Sequence, residues 1–246
     1  MKSQFKQIVT IILSIFLLSC SSDETTTETA DSPIISIPKI PLASKIKIIA
    51  LGDSYTIGQS VCETCRYPEQ LNASLQAIYP ETSFSLKIIA KTGWTTTNLI
   101  SAINEENPQS NYDLVTLLIG VNNQYQGRDF SIYEKEFPEL VTKAITLAKG
   151  DKKNLIVLSI PDYAYTPFGT MFGGTGKIST EISQYNTFAE NYCKANGVLF
   201  ISITDITQRG LENPSLVASD GLHPSKEAYT LFVDRILPKV KVVLQD

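Results

Sequence analysis

One histidine serves the whole 246-residue chain, and that scarcity removes entire classes of chemistry. A metal-dependent hydrolase needs several clustered imidazole, thiolate or carboxylate ligands, and the sequence has no such cluster. Cys62 and Cys65 form a Cys-x-x-Cys pair, but no second cysteine or histidine pair follows to complete a zinc site. Nor does the pair open a helix directly after a strand, as redox motifs do. No long basic run exists either: 21 Lys and Arg face 25 Asp and Glu, a net charge of −4, so nothing invites a nucleic acid. No internal repeat is present, and no cofactor or metal is expected.

What is present begins with a charged start. Lys2 and Lys6 precede an apolar stretch over residues 8–18, too short to span a bilayer, and Leu17-Leu18-Ser19-Cys20 follows. This resembles the lipobox of bacterial lipoprotein signal peptides. The resemblance implies cleavage after residues 1–19 and lipid attachment at Cys20, an uncleaved anchor helix being the alternative. Either way the remainder is expected outside the cytoplasm, in the cell envelope. Residues 20–43 are rich in Ser, Thr, Asp, Glu and Pro and read as a disordered tether, which leaves residues 44–246 for one folded domain.

Within that domain, strands and helices alternate. Short β-branched runs at residues 46–51, 84–90, 113–119, 155–160 and 198–203 predict about five strands buried on both faces of a parallel sheet. Helical spacing predicts helices over 68–79, 95–103, 131–149, from about 182 to Gly197, and from about 228 to Pro238. Ser131 with Glu134 fits a capping box, and Pro138 is expected to kink or restart its helix. Residues 161–176 read as an irregular aromatic and glycine-rich connection. The alternation predicts a three-layer α/β/α sandwich around a parallel sheet.

Ser54, Gly93 and Asn122 each fall a few residues beyond the last apolar residue of a different predicted strand. In a parallel sheet those ends share one edge, where ligands bind. Asp220 and the lone His223 enter the last helix and are expected to reach the same edge. The chemistry then assigns roles. Ser54 attacks an ester carbonyl, His223 takes and returns the proton, and Asp220 holds the imidazole. The N–H groups of Ser54 and Gly93 and the amide of Asn122 supply an oxyanion hole. Asp53, Trp94, Tyr163, Phe168 and Phe172 are candidate substrate-lining residues. For Trp94 and for the ring-rich connection, simple packing is the alternative.

The blocks Gly52-Asp53-Ser54-Tyr55-Thr56-Ile57-Gly58, Gly93, Gly120-Val121-Asn122 and Asp220-Gly221-Leu222-His223-Pro224 occur in that order. Together they resemble the SGNH hydrolases, the GDSL-type esterases and lipases. The resemblance implies a flavodoxin-like hydrolase fold and the site residues just named. It also implies ester substrates among acylated sugars, lysophospholipids, thioesters and simple esters, with a fold-retaining binding protein as the rival class. Asn123 departs from the pattern, because many members carry aspartate there. Other motifs fit less well: Gln59 stands where a Walker A lysine belongs, and Thr56 occupies the second glycine position of a G-x-S-x-G elbow. In an oxidising envelope, Cys62 and Cys65 are expected to form a local disulfide, with Cys193 a free thiol.

Overall fold

A computed structural model of the protein describes residues 42–245. The expected signal segment, Cys20 and most of the expected tether lie outside the described residues. Leu42 already packs against the core.

The centre is a five-stranded sheet in the order β2-β1-β3-β4-β5, with every neighbouring pair parallel. Its strands are β1 (Lys45–Gly52), β2 (Ser83–Ala90), β3 (Leu114–Leu118), β4 (Leu155–Leu158) and β5 (Leu199–Ile201). Every residue of β3 and β4 is buried, which is why these strands read as unbroken apolar runs without alternation. From β1 the chain first crosses to β2 on one side, then returns to β3 on the other. The carboxyl ends of β1 and β3 therefore flank the point where strand order reverses, and in open α/β sheets that is where ligands bind.

Nine α-helices complete the described chain: α1 (Ser54–Ile57), α2 (Tyr67–Ile78), α3 (Thr96–Glu106), α4 (Val121–Tyr125), α5 (Phe130–Leu147), α6 (Pro167–Met171), α7 (Gly174–Asn196), α8 (Thr204–Thr207) and α9 (Lys226–Val243). Helix α2 packs with α9, whereas α5 packs with α3 and α7. The rings of Tyr133, Phe137, Tyr185 and Phe188 interlock between α5 and α7. The result is the expected α/β/α sandwich.

Three local expectations are corrected. The cap of α5 is Asp129, whose carboxylate accepts the Ser131 N–H at 2.8 Å, so Ser131 lies inside the helix and does not form the capping box with Glu134. Pro138 does not restart its helix and Pro238 does not end one, since both sit within continuous helices. Each removes one backbone hydrogen bond, but buried residues on both sides, Phe137 and Leu140 in one case and Ile236 and Val240 in the other, keep the helix on the core. Residues 161–176 are also ordered. They form a 3₁₀ turn at Tyr163–Tyr165, then α6, then the first turn of α7. Asp162 caps the 3₁₀ turn and Thr166 caps α6, polar signals that the abundance of rings and glycines had obscured.

Candidate active site

β1 ends at Gly52, and the chain turns at once into α1. A Cβ at Gly52 would stand 2.4 Å from the Leu118 carbonyl oxygen and 2.2 Å from the Thr56 hydroxyl, so only glycine fits between strand and turn. Asp53 then fastens the turn. Its carboxylate accepts the Tyr55 N–H at 3.0 Å, and its carbonyl accepts those of Thr56 and Ile57. Asp53 takes these three N–H groups but not that of Ser54. Asp53 is fully buried, and burial pushes its carboxyl up to about 7 against the lowering effect of the Tyr55 bond. It therefore acts as a cap and does not line the cavity as expected.

A cavity of about 270 Å³ lies over this turn, bounded by Ser54, Tyr55, Thr92, Gly93, Val121, Asn122, Tyr125, Tyr163, Phe168, Leu222 and His223. Four of the five residues assigned to nucleophile, base, orienter and oxyanion hole thus meet at one space. Asp220, the fifth, sits behind His223, with Oδ2 2.6 Å from the imidazole Nδ1. Its other oxygen accepts the backbone N–H groups of Leu222 and His223 at 2.9 and 3.0 Å. Burial alone would raise the Asp220 carboxyl, yet hydrogen bonds from Ser60, His223 and Leu222 hold it down at about 2. The imidazole therefore faces a permanent anion.

Gly93 has φ +85, and a Cβ there would meet nothing within 4 Å. The backbone angle there is one that favours glycine. The Gly93 loop is gripped by three side-chain amides, two on α4 and the third on Gln126 at its carboxyl end. Asn122 Nδ2 donates to the Trp94 carbonyl at 3.0 Å, leaving its second hydrogen for the cavity, and Gln126 donates to the Gly93 carbonyl at 3.0 Å. Asn123, fully buried, accepts the Thr96 N–H at 3.0 Å and donates to the Thr96 hydroxyl at 2.7 Å. The departure at position 123 is thus a neutral amide that uses both its donor and its acceptor.

Trp94 does not border the cavity; its ring packs against the core. Tyr163 and Phe168 do line it, and Tyr163 donates its hydroxyl to Gln124 at 2.9 Å. Phe172 lies behind Phe168 with ring centroids 4.6 Å apart, half exposed and outside the lining. Sequence reasoning missed Tyr125, which meets both Tyr163 and Phe168 at 6.1 Å between centroids. Its position three residues after Asn122 on a helix was the available signal. Cys62 and Cys65 are joined in a disulfide, and Cys193 is a buried free thiol that burial pushes up to about 12.

The same fold recurs in solved structures. A lipolytic protein of the G-D-S-L family from Veillonella parvula superposes with TM-score 0.61 at 20% identity, covering 78% of this chain and 97% of that one. An acetylxylan esterase from Geobacillus stearothermophilus gives 0.59 at 20% identity, with 81% and 96% covered. A lipase/acylhydrolase from Enterococcus faecalis gives 0.62 at 20% identity, with 80% and 96% covered. No curated protein matches in sequence. Residues 50–231 match the GDSL-like lipase/acylhydrolase family, so the chain belongs to that family and is a carboxylic ester hydrolase.

Proposed function

We propose that the protein hydrolyses esters of short acyl groups through a covalent acyl-enzyme. Ser54 Oγ attacks the ester carbonyl and its proton passes to His223, while Asp220 keeps the imidazole oriented and stabilises its charged form. The oxyanion binds to the N–H groups of Ser54 and Gly93 and to the free amide hydrogen of Asn122. His223 returns the proton to the leaving alcohol, and water, activated by the same imidazole, releases the acid.

The observation that carries this reading is the meeting of Ser54, Gly93, Asn122 and His223 at one cavity with Asp220 bonded behind the imidazole. Cavity size argues for the short acyl group. About 270 Å³ falls just below the roughly 300–1,000 Å³ of pockets that enclose drug-sized ligands. The half-exposed rings of Tyr125 and Phe172 beside it suit a sugar or other bulky alcohol resting at the mouth, as in an acylated carbohydrate. A lysophospholipase or thioesterase reading draws on the same ring surface, extended by exposed Met171. A binding protein without turnover is disfavoured by the intact set of reactive groups.

Ser54→Ala should keep the fold and lower hydrolysis of acetyl esters on the order of a thousandfold. Retention of more than about a tenth of the rate, a loss of only about 1.4 kcal/mol, overturns the assignment. A parallel screen of acetylated saccharides, acyl esters of rising length and lysophospholipids separates the substrate classes.

We infer further that the enzyme works in the bacterial cell envelope, held by lipid at Cys20. Support comes from the Lys2 and Lys6 start, the short apolar stretch and the Leu-Ser-Cys junction.

A further inference from the structure

Asp220 has four hydrogen-bond partners, and three of them belong to its own short loop. Oδ1 takes the backbone N–H groups of Leu222 and His223, and Oδ2 takes the His223 imidazole. The fourth is the Ser60 hydroxyl, 2.6 Å from Oδ2 and 160 residues away in the chain. Ser60 stands six residues after Ser54, on the segment that carries the nucleophile. Its bond is therefore a direct tie between the nucleophile's segment and the loop that holds acid and base.

The backbone at Ser60 points the same way. Its φ is +67, a conformation that L side chains avoid and that glycine adopts freely. Gly58, two residues earlier, takes the same kind of angle with a glycine. Ser60 is exposed, so burial gives no reason for a serine there. What the side chain provides is the hydroxyl on Asp220. The neighbouring Gln59 makes a second link outward, its Oε1 accepting the Thr92 hydroxyl at 2.6 Å beside Gly93. Two adjacent side chains thus reach the loops on either side of Ser54.

We propose that Ser60 is a positioning residue for ester hydrolysis, holding the Asp220 oxygen that meets His223 and thereby fixing the imidazole relative to Ser54. This rests on the reading of Ser54, His223 and Asp220 as nucleophile, base and orienter. Ser60 touches neither substrate nor the reacting atoms. It acts through Asp220, filling the last acceptor position of that carboxylate so that Oδ2 cannot swing toward water.

The test is Ser60→Gly, which removes the hydroxyl while relieving the backbone angle, so loss of folding is not the trivial outcome. Expected is a fall in kcat on the order of tenfold, the scale of one charge-assisted hydrogen bond, with KM for an acetyl ester within about twofold of native. The melting temperature should change little, because relief of the backbone angle offsets the lost hydrogen bond. Because His223 is the only histidine in the chain, its low-field Nδ1 proton is a single assignable NMR signal, and it should shift in the variant. Native kcat with an unmoved signal overturns the proposal, and so does a fall in kcat that comes together with a fall in melting temperature. His223→Ala, measured alongside, separates the two levels: if it retains hydrolysis, the reading of the base fails, and not the role of Ser60 alone.

Discussion

Asp53 and Tyr55 share one hydrogen bond, from the Tyr55 N–H to Asp53 Oδ1, and the second carboxylate oxygen of Asp53 is buried without a partner. One oxygen of this side chain is a well-placed cap, and the other is a desolvated atom on which burial opposes ionisation. Burial raises its carboxyl from 3.8 to about 7, so the folded state binds the proton more tightly than the unfolded chain does. Stability is then lost as pH rises from about 4 to about 7, by up to about 4 kcal/mol, and stays lost above that. Asp53→Asn keeps an acceptor for Tyr55 and cannot ionise. In urea unfolding it should gain on the native protein between pH 4 and pH 8; a difference that is equal at both pH values would show that Asp53 is already charged in the fold.

At position 123 a change in the opposite direction should be harmful. Asn123 donates to the Thr96 hydroxyl, and that hydroxyl in turn donates to Glu136. Asn123→Asp would put two carboxylates on a hydroxyl with one hydrogen, one of them fully buried. A loss of about 1–3 kcal/mol is expected, with poorer hydrolysis because Thr96 lies just beyond the Gly93 loop. Denaturant midpoints measured at neutral pH check this, and an unchanged midpoint refutes it.

Phe168 and Phe172 should separate in their effects. Phe168 borders the cavity, so Phe168→Ala should raise KM for hexanoyl esters more than for acetyl esters, by about 0.8 kcal/mol per methylene that loses contact. Phe172, whose ring lies tilted against it, should give a weaker version of the same trend. Kinetics across an acyl series decide the matter: equal changes at every length would mean that both rings only pack the loop.

For Cys20, stable membrane attachment needs more than one acyl chain, which a lipidated amino-terminal cysteine would carry. Cys20→Ser expressed in a bacterial host should move from the membrane fraction to the soluble fraction. Continued sedimentation with membranes after a high-salt wash would exclude lipid at Cys20 as the anchor.

Much of this architecture was legible because parallel strands buried on both faces leave continuous apolar runs, and their ends mark one edge. That logic located Ser54, Gly93 and Asn122, and the lone His223 with Asp220 left few other choices for base and acid. What was not legible depended on contacts far apart in sequence. Nothing local distinguishes Asp53 as a buried cap from a substrate contact, since exposure is decided by what packs over α1. Trp94 failed as a lining residue for the same reason. Ser60 was invisible because its partner is 160 residues away. Pro238 misled because packing by Ile236 and Val240 overrode a local helix-stop signal.

The strand order carries a consequence for how activity is first acquired. β1 pairs Ile48 with Leu114, β3 pairs Val115 with Leu155, and β4 pairs Ile156 with Leu199, so every pairing that brings the cavity loops together closes a long stretch of chain. Such contacts form late, because loop-closure entropy is spent before they reward it, whereas helices such as α5 and α7 can form from neighbours alone. A refolding chain should therefore regain its helical signal well before it hydrolyses an ester, and the first turnover marks the moment at which β1, β3 and β4 lie side by side.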